Sequence, residues 1–466
     1  MTAAIAIIGA GATGATLAIE MCRRLPAGEE VLLIGDAGRP GAGLAYGAAR
    51  PEHLLNVVAG GLSIDPAHPD DFADWLLARK LPGVRLDDAL QRFVPRLWFG
   101  EYLADRLDEA AAGGPGRPRV TVVTGRAVSL IPVHDGWRIG LADGGEVAAA
   151  QAALCLGNFP GRLPLAGERI APGVADRIIH DPWRDPRLKE IRPGDDVLAL
   201  GAGLTMVDLA LTREALGHHG RIVAVSRNGL LPAAHVSPRQ TPIAPEGLRG
   251  GESLAEVMRV ARTAAAAHPW RQVVDGLRPV TQAIWTGWSE RERRRFQRWL
   301  ATPWGVARHR MAPEVDARIA GAVVAGRLGV GAARLERLGL AADGRIAAET
   351  RLRGGGTDIL AVDWVVNCSG PDRDLRRQDD PLLRWLLASG VARTDALRLG
   401  LDSDDADRII DAAGDAWPDL YALGPMTMGR LWEIVAMPDI RVQAQRVADR
   451  MANRLAAAAG AAMPAR

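Results

Sequence analysis

Short, uniformly apolar runs alternate with amphipathic stretches near the start of the chain and again near its middle. Residues 5–8 and 31–34 are apolar at every position, and a stretch with the apolar period of a helix lies between them. The same order of elements returns over residues 197–225. Runs that are apolar throughout are typical of parallel strands that are covered on both faces. The pattern therefore predicts the α/β fold class, with two strand–helix–strand units.

Glycines at regular spacing connect the first strand to the first helix. Gly9, Gly11 and Gly14 follow the spacing G-x-G-x-x-G, and Asp36 follows the next strand. The first glycine permits a tight turn, the second lets the backbone approach a pyrophosphate, and the third lets helix and strand pack closely. The helix N-terminus attracts the phosphates, and the acid accepts hydrogen bonds from a ribose. We expect an FAD site in a Rossmann-like unit, with a purely structural turn as the alternative.

The second unit repeats this turn with one change. Gly201 and Gly203 match the first two glycines, but Met206 stands where the first unit has Gly14. The third glycine serves packing and does not contact phosphate, so a flexible thioether can replace it if the helix stands slightly off the sheet. A second dinucleotide site is therefore expected; the alternative is a domain that kept the fold and lost the nucleotide.

The two units also differ at the end of their second strand. Ser226 and Arg227 stand there in the second unit, where the first unit has Asp36. An arginine cannot accept hydrogen bonds from ribose hydroxyls, but it can bind a 2′-phosphate. We therefore predict NADP(H) at the second turn and the unphosphorylated ribose of FAD at the first.

Composition and charge narrow the possible functions. The 466 residues allow two or three domains, and their formal net charge of +2 gives no reason to expect nucleic-acid binding. Cys22, Cys155 and Cys368 lie far apart, so neither a redox dithiol nor a zinc knuckle is expected. We predict no metal site. With no apolar run long enough to span a bilayer and no recognisable signal peptide, we expect a cytoplasmic protein.

Residues 240–325 interrupt the second unit with a different pattern. The stretch SERERRRFQRWL is rich in arginine. Within it, Ser289 and Glu292 have the spacing of a capping box. We expect a helical insertion and consider three roles for it: a cap with an aromatic core, a lid that lines a substrate pocket, or a surface for nucleic acid or membrane. Five of the 13 tryptophans lie there: Trp270, Trp285, Trp288, Trp299 and Trp304.

Three stretches carry a resemblance to a known family. They are LLNVVAGGLSIDPAHPDDFADWL at 54–76, GAGLTMVDLAL with GHHGRIVAVSRNGLLPAAH within 201–235, and GRLWEIVAMPDIRVQA at 429–444. With these stretches the chain resembles the bacterial FAD/NAD(P)-binding proteins. That family is similar to the flavoprotein monooxygenases with two dinucleotide domains, which include amine N-hydroxylases and Baeyer–Villiger enzymes.

The resemblance implies an NADP domain inserted into an FAD domain, so that the chain crosses between them twice. We expect the crossings at residues 153–160 and 365–371, where apolar strands stop in small residues and proline. The predicted boundaries are 1–190 and 368–460 for the FAD domain, 191–239 and 326–367 for the NAD(P) domain, 240–325 for the helical insertion or lid, and 461–466 for a flexible tail.

The resemblance also extends the set of expected FAD-binding residues beyond the first turn. Gly157 and Gly370 lie at the two crossings, Gly424 follows the last expected strand, and Asn56 lies at a position that related flavoproteins place near the cofactor. Pro425 stands where many flavoproteins have an aspartate for the ribityl chain.

The resemblance implies an FAD-dependent, NADP(H)-using oxidoreductase, and within that class a monooxygenase. Oxygen would pass from a flavin hydroperoxide to a small-molecule substrate. His235, Asn56 and Arg96 are the candidate catalytic residues, and each has a structural alternative as a loop, turn or helix-surface residue. The alternatives for the whole protein are a flavin-dependent dehydrogenase or reductase, and a non-catalytic FAD/NADP-binding redox sensor. Substrate and oligomeric state are not predicted.

Overall fold

The computed structural model describes residues 4–36, 38–86, 88–112, 116–238 and 240–461. Most of the tail predicted at 461–466 therefore lies outside the described residues. In this part of the chain no helix is long and apolar enough to cross a bilayer.

The strands are numbered in chain order. They are β1 (Ala4–Ile8), β2 (Glu30–Gly35), β3 (Arg119–Thr124), β4 (Ala127–Val133), β5 (Gly136–Leu141), β6 (Glu146–Ala149), β7 (Gln151–Leu154), β8 (Ile178–Ile179), β9 (Val197–Leu200), β10 (Ile222–Ser226), β11 (Leu328–Leu340), β12 (Ile346–Leu352), β13 (Thr357–Val362), β14 (Trp364–Asn367), β15 (Arg408–Ile410) and β16 (Ala416–Ala422).

The α-helices are numbered in the same way. They are α1 (Ala12–Cys22), α2 (Gly43–Gly47), α3 (Asp71–Ala78), α4 (Arg96–Ala111), α5 (Leu204–Ala215), α6 (Leu254–Ala267), α7 (Trp270–Gly276), α8 (Thr281–Gly287), α9 (Glu290–Trp299), α10 (Ala301–Arg308), α11 (Pro313–Val324), α12 (Pro381–Ser389) and α13 (Met437–Ala461).

The first unit is built on a six-stranded sheet in the order β15–β16–β7–β1–β2–β3. All its pairings are parallel except that of β15 with β16. Helices α1, α4 and α13 cover one face around the fully buried Ile5 and Ile7. The other face packs against α12 and against an antiparallel sheet of β4, β5 and β6. Both faces are covered, which explains why β1 is apolar at every position.

The second unit is a seven-stranded sheet in the order β13–β12–β11–β10–β9–β14–β8. Strand β11 serves two pairings along its length: its first residues run parallel to β10, and from Ala333 onward it pairs antiparallel with β12. Because β14 ends at Asn367 and the chain then returns to the first sheet, the second unit lies within the sequence of the first. Strand β8 pairs with β14 and so joins the second sheet across the boundary predicted at residue 190.

Helices α6 to α11 lie between β10 and β11, where the sequence predicts the helical insertion. The capping box of Ser289 and Glu292 is present at the start of α9, and Ser253 with Glu256 forms a second one at α6. Both satisfy N–H groups that a helix start leaves without partners. The insertion has its own apolar core, which includes Trp285.

Candidate cofactor and active site

The first glycine turn is closed by backbone contacts on both sides. Gly9 has a φ of +112°, its N–H donates to the carbonyl oxygen of Ile34 at 2.8 Å, and a Cβ there would overlap the carbonyl oxygen of Cys155. Helix α1 then begins directly after Gly11. A positive φ and the absence of space for a side chain both require glycine at this position.

Gly11 and Gly14 are glycines for different reasons. A Cβ at Gly14 would overlap the carbonyl oxygen of Gly9, so the close packing of helix on turn excludes any side chain. At Gly11 the nearest atom to an added Cβ is the Cα of Gly43 at 3.5 Å, an ordinary contact. The chain itself therefore does not require glycine at position 11, whereas a ligand at this turn would.

The second turn repeats the first in detail. Gly201 has a φ of +116°, and a Cβ there would overlap the carbonyl oxygen of Cys368. A Cβ at Gly203 would meet nothing within 4 Å. Met206 is fully buried and packs in the core of the second unit, together with Ile319 of α11. The third position thus serves helix packing, as the sequence argument requires.

A cavity of about 420 Å³ lies between the two units. Its walls include the first turn from Gly9 to Thr13, both crossing segments, and Thr205 at the start of α5. Of the predicted cofactor and catalytic residues, six line it: Gly9, Gly11, Asp36, Arg96, Gly157 and Gly370. Eight are not among its lining residues: Gly14, Asn56, Gly201, Gly203, Ser226, Arg227, His235 and Gly424.

The lining of this cavity fits a dinucleotide. The helix N-terminus at Gly11 provides backbone N–H groups for a pyrophosphate, and the Asp36 carboxylate stands at the end of β2 for a ribose. Gly157 and Gly370 both have positive φ values, and a Cβ at either would meet no atom of the chain within 4 Å. Bare backbone at these two lining positions leaves room for a group to approach closely.

The two crossing segments are tied to each other beside the cavity. The side-chain amide of Asn367 donates to the carbonyl oxygen of Gly161 at 2.8 Å, and the Ser369 hydroxyl donates to the Asn367 amide oxygen at 2.7 Å. A Cβ at Gly161 would overlap the carbonyl oxygen of Gly370. These contacts fix the positions of the two crossings relative to each other.

Arg96 bridges the two units at the cavity wall. It begins α4, and its guanidinium Nη2 donates to the Asp208 carboxylate of α5 at 2.6 Å. The guanidinium also lies over the Trp183 ring, 5.4 Å from its centroid. Its Nε is buried and has no hydrogen-bond partner among the described residues. Arg96 is therefore an interdomain residue rather than a helix-surface charge.

His53 forms a second link between the units. Its Nδ1 accepts from the Arg50 N–H at 3.2 Å, so the proton is on Nε2, which lies 2.8 Å from the Thr212 hydroxyl and 3.2 Å from the Asp208 carbonyl oxygen. Burial lowers the pKa of His53, which favours this neutral ring. Sequence reasoning missed His53 because its partners lie in the other unit.

The structure brings together two of the candidate catalytic residues. The His235 Nε2 lies 2.9 Å from the carbonyl oxygen of Asn56, and the His235 ring packs on Phe93 at 5.1 Å. The His235 N–H also donates to the Met311 carbonyl oxygen at 2.9 Å. His235 thus connects the segment between β10 and the insertion to the loop that carries Asn56.

The segment after β16 approaches the cavity through Pro425 and not through Gly424. Gly424 has a φ of +73°, and its N–H donates to the Gln443 side chain at 2.9 Å. A Cβ at Gly424 would crowd the Thr13 hydroxyl at 2.8 Å. Pro425, the residue that departs from the flavoprotein pattern, lines the cavity.

The end of β10 is open to solvent. Arg227 is exposed and forms no hydrogen bond or ion pair with any described residue, while the Ser226 hydroxyl accepts from the Gly229 N–H at 3.0 Å. An unpaired guanidinium at this position is available to an anionic group.

Arg373 is another residue that sequence reasoning missed. It follows the second crossing, and its Nη1 is buried without a hydrogen-bond partner in the described part of the chain. Burial lowers the pKa of Arg373 to about 10.

All three cysteines are free and buried. Burial raises the pKa of Cys22 to about 11 and also raises the pKa of Cys155 and Cys368. A thiol needs to ionise before it can attack a disulfide, so none of the three is suited to that reaction.

Comparisons with known proteins agree with this architecture. Residues 6–159 match the model of a family described as FAD-NAD(P)-binding. The ornithine N-hydroxylase of Kutzneria sp. 744 has a similar structure, with a TM-score of 0.62 and 17% identity over 98% of this chain and 100% of that chain. No curated protein matches the chain in sequence.

Two further solved structures show how widely the fold is used. For the FAD-bound cadaverine monooxygenase of Erwinia amylovora, the TM-score is 0.64 with 11% identity, over 97% of this chain and 95% of that chain. For the thioredoxin reductase of Lactococcus lactis, the TM-score is 0.53 with 13% identity, over 97% of this chain and 100% of that chain. Such low identities show the fold alone. The predicted two-dinucleotide fold is confirmed, and the match to the FAD-NAD(P)-binding family model supports a dinucleotide cofactor in the first unit.

Proposed function

We propose that the protein is an FAD-dependent, NADP(H)-using monooxygenase that acts on a small molecule. The observation that carries the proposal is the cavity of about 420 Å³ whose walls come from both glycine-turn units. In the proposed reaction NADPH provides two electrons, one atom of O₂ enters the substrate and the other leaves as water. FAD, when bound, supplies the redox chemistry that the side chains of the protein do not.

In this proposal the first unit holds FAD. The N–H groups at the start of α1 bind the pyrophosphate, and Asp36 accepts from the adenosine ribose. Gly157 and Gly370 present bare backbone to the cofactor. Gly14 and Gly424 would support this site through packing, because Gly14 packs on Gly9 and Gly424 packs on Thr13, and both of those residues line the cavity. Asn56 is not among the lining residues.

The second unit is proposed to bind NADP(H). Gly203 begins α5, whose N-terminus would face the nucleotide phosphates, with Gly201 closing the turn. Ser226 and Arg227 would bind the 2′-phosphate, the guanidinium through charge-assisted hydrogen bonds. The exposed and unpaired state of Arg227 among the described residues supports this role.

Arg96 is the candidate catalytic residue that the geometry favours. Its guanidinium lies at the wall of the cavity and is held by the Asp208 carboxylate at 2.6 Å. A fixed positive charge in a partly dry site stabilises negative charge that develops nearby. His235 and Asn56 are proposed as positioning residues, since their contact joins the segment that precedes the insertion to the first unit.

The similar fold of a thioredoxin reductase raises the possibility of disulfide chemistry. The three buried cysteines, with raised pKa values, argue against it. A dehydrogenase or reductase without oxygen insertion, and a binding protein without turnover, are the remaining alternatives.

An anaerobic titration of the FAD-loaded protein with NADPH and with NADH tests the proposal. We expect NADPH to bleach the flavin absorbance rapidly and NADH to do so much more slowly. When air is admitted, a monooxygenase couples NADPH consumption to an oxygenated product. A reductase would consume NADPH and form only peroxide or a reduced acceptor, and flavin that stays oxidised would favour the binding protein.

A further inference from the structure

The helical insertion contains a second cavity, separate from the one between the glycine turns. Its volume is about 260 Å³, and helices α6 to α10 contribute to its walls. This exceeds the ~150 Å³ of a dry apolar cavity that binds benzene, and it lies near the lower end of the ~300–1,000 Å³ range of small-molecule sites. The cavity is therefore large enough for a small organic molecule.

Packed aromatic rings form one wall of this cavity. Trp285 stacks on Trp432 with ring centroids 4.8 Å apart, and Phe296 lies 5.3 Å from Trp432 and 5.5 Å from Trp288. Each ring is thus held by at least one other, in the tilted, offset and edge-to-face arrangements that aromatic groups prefer. The wall is fixed before any ligand arrives.

Three indole N–H groups around this cavity are used by the protein itself, whereas the N–H of Trp432 is buried without a hydrogen-bond partner among the described residues. Trp285 donates to the Gly429 carbonyl oxygen and Trp288 to the Glu252 carbonyl oxygen, each at 3.0 Å. The N–H of Trp304, another lining residue, donates to the Glu433 carboxylate. With these donors occupied, the three tryptophans offer a ligand mainly the apolar surface of their rings.

The charge around the cavity disfavours a cationic ligand. Among the described lining residues there is no carboxylate, and the only charged group is Arg262, which is exposed on α6. The Trp285 ring already has the Arg293 guanidinium 5.5 Å from its centroid. A buried ammonium group would therefore lose its hydration without gaining a counter-charge.

One loop connects this cavity to the cavity between the glycine turns. Trp432 lines the insertion cavity, and Val435, three residues later, lines the other. Three residues span at most roughly 11 Å when fully extended, so the two cavities approach each other on either side of this loop.

The loop is held in an unusual conformation at Glu433. This residue has a φ of +65°, a conformation that is unfavourable for a residue other than glycine. Its carboxylate is paired with the Arg308 guanidinium at 3.2 Å and also accepts from the Trp304 N–H. Both partners belong to α10, so the insertion fixes the loop that separates the two cavities.

We propose that the cavity in the insertion is the substrate chamber and that it takes an uncharged aromatic or branched apolar molecule, rather than a charged amine. This inference rests on the proposed function, because it assumes that a molecule held here reacts at the neighbouring cofactor cavity. The sequence left three roles open for the insertion, and the proposal assigns one of them, that of a lid that lines a substrate pocket.

Direct binding to the full-length, FAD-loaded protein tests the proposal. Naphthalene serves as the apolar probe, with cadaverine and tetramethylammonium as cationic probes, and tryptophan fluorescence and calorimetry report binding. We expect naphthalene to bind with micromolar affinity and the cations to show no measurable binding. Binding of the cations without naphthalene would overturn the proposal.

Cavity-filling variants locate the bound probe. Ala261 of α6 and Ala307 of α10 both line the cavity, and we expect Ala261→Phe and Ala307→Phe each to weaken naphthalene binding about tenfold or more. Ala266→Phe changes an exposed α6 residue that is not among the lining residues and serves as the matched control. Two helices are tested so that one poorly folded variant does not decide the result.

Two other results would overturn the assignment. Naphthalene binding that neither filling variant weakens would place the probe elsewhere. Self-association of the wild-type protein that Ala261→Phe abolishes would make the cavity a contact surface for a second copy of the chain. Anaerobic reduction by NADPH is measured separately on the wild-type protein, so loss of the proposed redox function and loss of the chamber are distinguished.

Discussion

The two glycine turns are nearly identical in their first position. Gly9 and Gly201 have φ values of +112° and +116°, and at each an added Cβ would overlap the carbonyl oxygen of a buried cysteine, Cys155 or Cys368. In both units this cysteine directly follows a strand, β7 or β14, that pairs with the strand before the turn. The first glycine is therefore required by the fold, whether or not a nucleotide binds.

At the second and third positions of the turns, the residue type is determined by something other than the turn's own backbone conformation. At Gly11 and Gly203 the chain leaves normal space for a side chain, and in the proposed function it is the bound nucleotide that requires glycine there. At the third position Gly14 packs directly on the turn, whereas Met206 fills the core of the other unit. The same sequence motif thus combines one residue required by the fold, one that the fold does not require and that we propose the nucleotide does, and one set by the distance between helix and turn.

The largest effect is expected at the first and third positions of the first turn. Gly9→Ala and Gly14→Ala each force a Cβ into a backbone carbonyl and should destabilise the protein by more than about 3 kcal/mol, with loss of bound flavin. The yield of folded protein and its melting temperature measure this loss of stability.

Gly28→Ala is the control for these two variants. Gly28 also has a positive φ, but a Cβ there meets nothing within 4 Å, so we expect a loss of only about 1 kcal/mol. Equal losses for Gly9→Ala and Gly28→Ala would show that overlap with Cys155 does not matter.

The second position should separate the two nucleotides. Gly11→Ala is expected to lower flavin content, and Gly203→Ala to weaken NADPH binding about tenfold or more while flavin content stays normal. Each variant adds a methyl group at a helix start, which alone changes stability by about 1 kcal/mol. Flavin absorbance and NADPH calorimetry on both variants measure the effect. If both variants lost the same nucleotide, the assignment of one turn would be wrong.

A smaller effect is expected at Arg227. Loss of its charged hydrogen bond in Arg227→Gln should cost about 1.5–3 kcal/mol for NADPH and little for NADH, a change of roughly tenfold or more in selectivity. Rates of anaerobic flavin reduction by the two nucleotides measure it. Arg353 lies at the same edge, where it donates to Asn228 at 2.8 Å, so Arg353→Gln is the control and should leave selectivity unchanged.

The smallest effect is expected for the conservative change Met206→Leu. Met206→Leu keeps the buried volume and should cost less than about 1.5 kcal/mol, whereas Met206→Ala leaves a cavity and should cost about 2–5 kcal/mol. Neither should alter NADPH affinity in the protein that remains folded. Denaturation curves measure the stability costs, and NADPH titration measures the affinity. A selective loss of NADPH binding in Met206→Leu would mean that residue 206 contributes to nucleotide binding.

Local patterns predicted the strands and helices around both glycine turns because each depends on a few consecutive residues. Gly9 and Gly201 could be identified from spacing alone, and so could the capping box at Ser289, since the groups involved are neighbours in sequence. The helical structure of the insertion was predictable for the same reason.

Contacts between distant segments were not predictable. Arg96 meets Asp208 only because α4 and α5 face each other across the two units, and β8 joins the second sheet although it precedes the second turn. The insertion cavity depends on five helices and on Trp432, which lies far along the chain. No local pattern encodes such a volume.

The sequence by itself determined two dinucleotide turns and the residue types at their strand ends, because backbone dihedral angles and helix starts are set by adjacent residues. The tertiary structure decided which glycine has free space, which arginine is paired and where the cavities lie. These depend on the packing of elements that are far apart in the chain, and a gap between helices exists only when all of them are in place.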